Sequence, residues 1–159
     1  MKWLCYLCLF LLTACQGGLP MKKSTTIFSV DAEEVRIFPI KSLLRQYKIV
    51  MNNVGSEVML LDGRPISKVQ VMTMQQFGAR WDNPKYGFKK RPPHATMIVY
   101  ATQSRGHLER TGSLFKITDM SFDAVKNSLT IEVVAMSEVN PYIVGRPVKL
   151  SDFLIETND

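Results

Sequence analysis

The chain has 159 residues, 46% of them hydrophobic and 21% charged, and a formal net charge of +6. That length and composition fit one globular domain with its own core and exclude an intrinsically disordered chain. The positive excess is mild. It favours contact with anionic lipid, lipopolysaccharide phosphate or an acidic protein, and it equally serves solubility.

The chain opens on Met1-Lys2 and an unbroken apolar run, Trp3 to Leu12 (WLCYLCLFLL), ten residues without a charge. A membrane-spanning helix needs about 20, so the run fits the apolar region of a secretory signal, which ends in small residues at a cleavage site. Here the end is Leu12-Thr13-Ala14-Cys15. This quartet resembles the lipobox of bacterial lipoproteins: an aliphatic residue, a small or β-branched residue, a small residue, then cysteine.

The resemblance implies cleavage before Cys15, a diacylglycerol on its thiol and, in most members, an acyl group on the new amine. It covers about a tenth of the chain and implies nothing about the fold of the rest. Two or three acyl chains at about 0.8 kcal/mol per buried methylene make a stable anchor, where one is marginal. Gln16 follows, and in enteric-type bacteria the resemblance implies that a residue other than Asp at that place permits transfer to the outer membrane. Cys5 and Cys8 form a C-x-x-C without a second pair and are expected to leave with the leader. The domain would then have no disulfide, and its size lets it rely on its core.

The expected division is a signal peptide over 1–14, acylated Cys15 and tether over 15–24, and a β domain over 25–159. Gln16 to Ser24 (QGGLPMKKS) has no periodicity and can span about 30 Å when extended, with Lys22 and Lys23 near lipid head groups.

From Thr25 onward short apolar stretches alternate with turn signals at a period of two, which predicts strands. The expected strands are Thr25–Val30, Val35–Ile40, Tyr47–Asn52, Glu57–Leu61, Ile66–Met74, Ala95–Thr102, Ser113–Asp119, Leu129–Met136 and Tyr142–Leu150. Asp62-Gly63 reads as a two-residue hairpin turn, and Asn53–Ser56, Asp123–Asn127 and the polar Gln103–Gly112 read as further links. The fold class is mainly β: a single antiparallel β-sandwich or small barrel of about eight or nine strands, preceded by a cleaved signal helix. Helix signals are thin. Asp31 with Glu34 could form a capping box, although Pro39 would end such a helix early.

No catalytic fingerprint is present, whether G-x-S-x-G, P-loop, H-E-x-x-H or dinucleotide motif. His94 and His107 read as exposed loop residues without the partners catalysis needs. The pairs Glu33/Glu34, Asp119/Asp123 and Glu156/Asp159 read as solvated turns or termini. The expectation is a binder, with no enzyme activity, metal or cofactor beyond the covalent lipid.

The most unusual segment is Phe77 to His94, FGARWDNPKYGFKKRPPH, which interleaves aromatic and basic residues. Trp, Tyr and Arg dominate protein-interface hot spots, so the candidate contact loop comprises Arg80, Trp81, Lys85, Tyr86, Lys89, Lys90 and Arg91. The same composition could stack and hold single-stranded nucleic acid, but an envelope location argues against that partner. Another envelope protein is expected, or an anionic glycolipid or glycan such as lipopolysaccharide or peptidoglycan. Equally open is that Phe77, Trp81 and Phe88 are core aromatics beneath solvated charges.

Overall fold

The computed structural model describes residues 25–40, 44–63, 65–84, 87–102 and 108–158. The leader, Cys15 and the tether lie outside these residues, as do Lys85, Tyr86 and His107. The fold is mainly β, a six-stranded closed barrel with three further strands. In chain order these are β1 (Thr25–Val30), β2 (Ala32–Pro39), β3 (Gln46–Val54), β4 (Glu57–Asp62), β5 (Lys68–Thr73), β6 (His94–Thr102), β7 (Leu108–Asp123), β8 (Ser128–Ala135) and β9 (Pro147–Asn158), with a short helix α1 (Met74–Ala79) after β5.

The strands run side by side in the order β2-β3-β8-β7-β6-β9-β1-β4-β5, and β2 also meets β9 to close the ring. The neighbours in this order pair antiparallel. β1 and β2 behave as one rail. Val30 faces Phe153 and Val35 faces Val148, so both strands keep a single register along β9. On the rail's other side β3 pairs with β2 and β4 with β1, with an offset at Gly55 and Ser56. At this offset β4 leaves the barrel and carries β5 with it.

Closing six strands into a ring requires bent strands, and an extra residue in one strand of a pair bends it. β9 carries such a residue at Ser151, because Ile98 faces Asp152 while Val99 faces Leu150. β7 carries one at Thr118, where the register along β8 shifts between Ile117 and Asp119. β7 thereby turns from β6, which it follows over Leu108–Lys116, to β8 over Phe115–Asp123.

Alternation fills the barrel. Leu129, Ile131, Val133 and Ala135 of β8 are all buried, as are Val35 and Ile37 of β2, Ile49 and Met51 of β3, Met97 and Val99 of β6, and Phe153 and Ile155 of β9. The same core continues under the β1-β4 arm through Phe28, Val30, Val58 and Leu60 to Met74 and Phe77 of α1.

Several expectations change in detail. Asp31 and Glu34 start no helix: Ala32–Pro39 is a strand, alternately buried because Val35 and Ile37 face the core. The Asp62-Gly63 turn is wider than two residues, since Asp62 pairs with Lys68 across residues 63–67, with Gly63 at φ 88°. Leu108–Gly112 belongs to β7 and not to a link. Pro141–Ile143 is a 3₁₀ turn, so the last strand begins at Pro147. His94 sits at the start of β6, between Lys116 and Glu156, and not in a loop. The Asp123–Asn127 turn forms as expected: Asp123 Oδ1 accepts from the backbone N–H groups of Val125 and Lys126, and Asn127 takes φ 47°.

Candidate binding site

The basic segment begins on α1. Thr73 caps this helix: its Oγ1 accepts from the Gln76 N–H at 3.2 Å, and Gln76 Oε1 accepts from the Thr73 N–H at 3.0 Å. This reciprocal pair satisfies two backbone donors and explains why a six-residue helix stands here. The cap presses Met74 and Phe77 inward. Phe77 meets Phe28 at 5.4 Å between ring centroids, Phe88 meets Phe28 at 5.4 Å, and Phe77 and Phe88 lie 5.9 Å apart. Three rings from β1, α1 and the following loop thus share one contact.

The loop then closes on itself. Phe88 N–H donates to Arg80 O and Lys89 N–H to Trp81 O, both at 3.3 Å, and Gly87 N–H donates to Asn83 O at 2.8 Å. Gly87 is buried at the crossing, where a Cβ would stand 2.2 Å from Asn83 O and 2.8 Å from Trp81 O. Only glycine allows this approach.

The seven sequence-predicted residues separate into different roles. Trp81 is 2% exposed and packs in the core, so of the two readings of the aromatics the buried one describes Phe77, Trp81 and Phe88, and Trp81 is corrected out of the contact surface. Its Nε1 has no hydrogen-bond partner among the described residues. The Arg80 guanidinium carbon stands 5.3 Å from the centre of the Phe28 ring, a cation–π distance, which commits part of that side chain to holding the loop down. Lys90 Nζ donates to Pro84 O. Lys89 stands 3.6 Å from Asp82 with both side chains exposed, a contact worth little in water. Arg91 is exposed and forms no ion pair among the described residues. Lys85 and Tyr86 fall outside those residues. The structure therefore brings Lys89, Lys90 and Arg91 together as three consecutive exposed cations on a pinned base.

Of the proposed carboxylate pairs, Glu33 and Glu34 hold structural contacts on β2. Glu34 accepts from Arg36 Nε at 2.9 Å and from Asn52 Nδ2 at 3.2 Å, and these bonds lower its pKa below the usual range. Glu33 accepts from Asn53 Nδ2 at 2.8 Å. Among the described residues there is no group of three or more His, Cys, Asp or Glu placed to hold a metal ion, and no helix long and apolar enough to cross a membrane.

A second surface lies on the β4-β5 arm. β5 is the free edge of the sheet among the described residues, and Lys68–Val71 are exposed on both faces. On its outer face Val69 and Val71 are each 58% exposed, beside Met59 at 47%. The sequence signal was the alternation in KVQVMT, which predicts a strand but not its position at an edge. Comparisons with protein-family models, with curated proteins and with solved structures gave no match.

Proposed function

We propose that this chain is a bacterial envelope lipoprotein, anchored through Cys15 to the outer membrane and facing the periplasm, whose β domain is a non-enzymatic binding or scaffold module for another envelope protein. Such a module would serve as an accessory of a secretion or transfer machine, or as an exclusion or immunity factor. The observation that carries the binding reading is the display of Lys89, Lys90 and Arg91 on a loop whose base is closed by backbone hydrogen bonds and packed on Phe28. A rigid scaffold that presents exposed loop charges is the usual architecture of recognition, and a cationic cluster fits an acidic partner surface. The anchor rests on the lipobox alone.

The alternative partner is an anionic glycolipid or glycan. The same three cations favour it, but burial of Trp81 removes one of the aromatic platforms on which a sugar would stack.

The test is a pull-down of the full-length lipidated chain from native envelope, beside Cys15→Ala and a charge reversal of Lys89, Lys90 and Arg91. One protein partner lost on reversal, with the melting temperature unchanged, supports the module. Capture of lipopolysaccharide or peptidoglycan alone moves the reading to the glycan class, and capture that ignores the reversal removes the loop.

A further inference from the structure

The β5 edge is bare in three directions: both faces of Lys68–Val71 and the side away from β4. A two-stranded overhang of this kind gains little by itself, and an apolar open edge is a template for another strand. Met74 N–H donates to Ser56 O, continuing the ladder of even-numbered residues towards β4, whereas Thr73 N–H turns to the Gln76 side chain. Backbone groups alternate in direction along a strand. The N–H and C=O groups of Val69 and Val71 therefore point to the open side.

We infer that this edge pairs with the β5 edge of a second copy of the chain, antiparallel, about a two-fold axis at Gln70. In that register Val69 lies opposite the partner's Val71, and Val71 opposite the partner's Val69. Each pair exchanges two backbone hydrogen bonds. The outer face becomes continuous: Met59 and Leu61 already flank Val71 and Val69 within one copy, and the partner repeats them in reverse order.

Charge selects the same arrangement. The chain is net positive, so most of its surface repels a second copy, but Lys68 is the one charge between Lys68 and Thr73. Antiparallel pairing about Gln70 sets Lys68 opposite the partner's Met72. The two lysines then lie about 14 Å apart along the strands, beyond the screening length of about 8 Å at physiological salt. Parallel pairing would juxtapose them. A single strand pair buries less than the roughly 800 Å² per partner of a standard interface. The contact is weak in dilute solution and is strengthened when copies share a membrane, a clause that rests on the anchor proposed above.

The two-fold places Gln70 against its own copy at a site with closely spaced Cα atoms, about 4.5 Å, within reach of a disulfide. The experiment is mild oxidation of full-length Gln70→Cys in envelope membranes and, purified, at high concentration. The unsubstituted chain supplies the background from Cys5, Cys8 and Cys15 of any unprocessed chain, and Val125→Cys, on the exposed β7-β8 turn, supplies the collision control. A covalent band at twice the chain mass for Gln70→Cys above both controls, lost when Val71→Lys is added, is the expected result. A Gln70→Cys yield no higher than that of Val125→Cys in both settings overturns the proposal, as does a band joining a different protein. A band in the concentrated sample only would keep the pairing and overturn the anchor instead.

Discussion

Arg110 Nη2 donates to Asp152 Oδ2 at 2.7 Å, and the bond reaches over a whole strand. Arg110 stands opposite Tyr100 and Asp152 opposite Ile98, so the pair ties β7 to β9 across β6. Ser151, the extra residue of the β9 bend, donates to the same carboxylate oxygen at 2.8 Å. These bonds, Ser151 first and Arg110 second, lower the Asp152 pKa below the ordinary carboxylate range.

A carboxyl whose folded pKa is depressed adds stability that is present at neutral pH and is lost as pH falls through the folded value. Both Asp152 and Glu34 are of this kind. Melting temperature should accordingly hold near pH 7 and fall below about pH 4. Asp152→Asn should flatten that acid limb while costing at most about 1 kcal/mol at neutral pH, because the pair is partly exposed. Thermal melts at pH 7 and pH 3 check both points.

Ser113 is 3% exposed on β7, and its Oγ has no partner in the described structure. A buried hydroxyl without a bond costs about 1–3 kcal/mol, and removing it recovers part of that. Ser113→Ala is expected to raise the denaturant midpoint without changing the slope of the unfolding curve; a fall would mean that the hydroxyl is bonded.

Gly87→Ala should break the loop closure, because the new methyl would meet Asn83 O and Trp81 O, both backbone atoms. The expected cost is about 1–3 kcal/mol, typical of forced overpacking. Trp81 emission should shift to longer wavelength as its ring is exposed, while the far-ultraviolet circular dichroism of the barrel remains. Unchanged emission would show that the base of the loop has other supports.

Thr73→Ala removes the side-chain acceptor from the N-cap of α1 and should cost about 1 kcal/mol. Phe77→Ala, which empties the centre of the ring cluster, should cost about 3–5 kcal/mol. Measured by chemical denaturation, the two should keep this order. The reverse would place the hold on α1 in its cap.

The nine strands were legible because their pattern is local: Leu129, Ile131, Val133 and Ala135 alternate with polar or half-buried neighbours wherever the strand is placed. The helix was not legible: the β-like KVQVMT carries a strand reading through Met74, and six helical residues leave too short a period to stand out after it. What could not be read was partnership. No residue in Tyr142–Leu150 announces that Pro141 starts a 3₁₀ turn while the following strand continues to Asn158, because β6, β1 and β2 together hold that strand. Trp81 was ambiguous for the same reason: the loop that carries it closes through the Lys89 N–H bond to Trp81 O and the Gly87 crossing, neither of which its own sequence neighbours announce.

The β1-β2 rail and β9 lie at opposite ends of the described sequence yet are direct neighbours, from Thr25 beside Asn158 to Arg36 beside Pro147. Such pairing gives the domain a high contact order, which slows folding because distant segments must meet before their contacts are rewarded. A partly emerged polypeptide has a rail and no mate for it. Only when Pro147–Asn158 arrives can β1 and β6 be joined and the ring shut. The domain therefore completes itself late, when the last of its described strands becomes available.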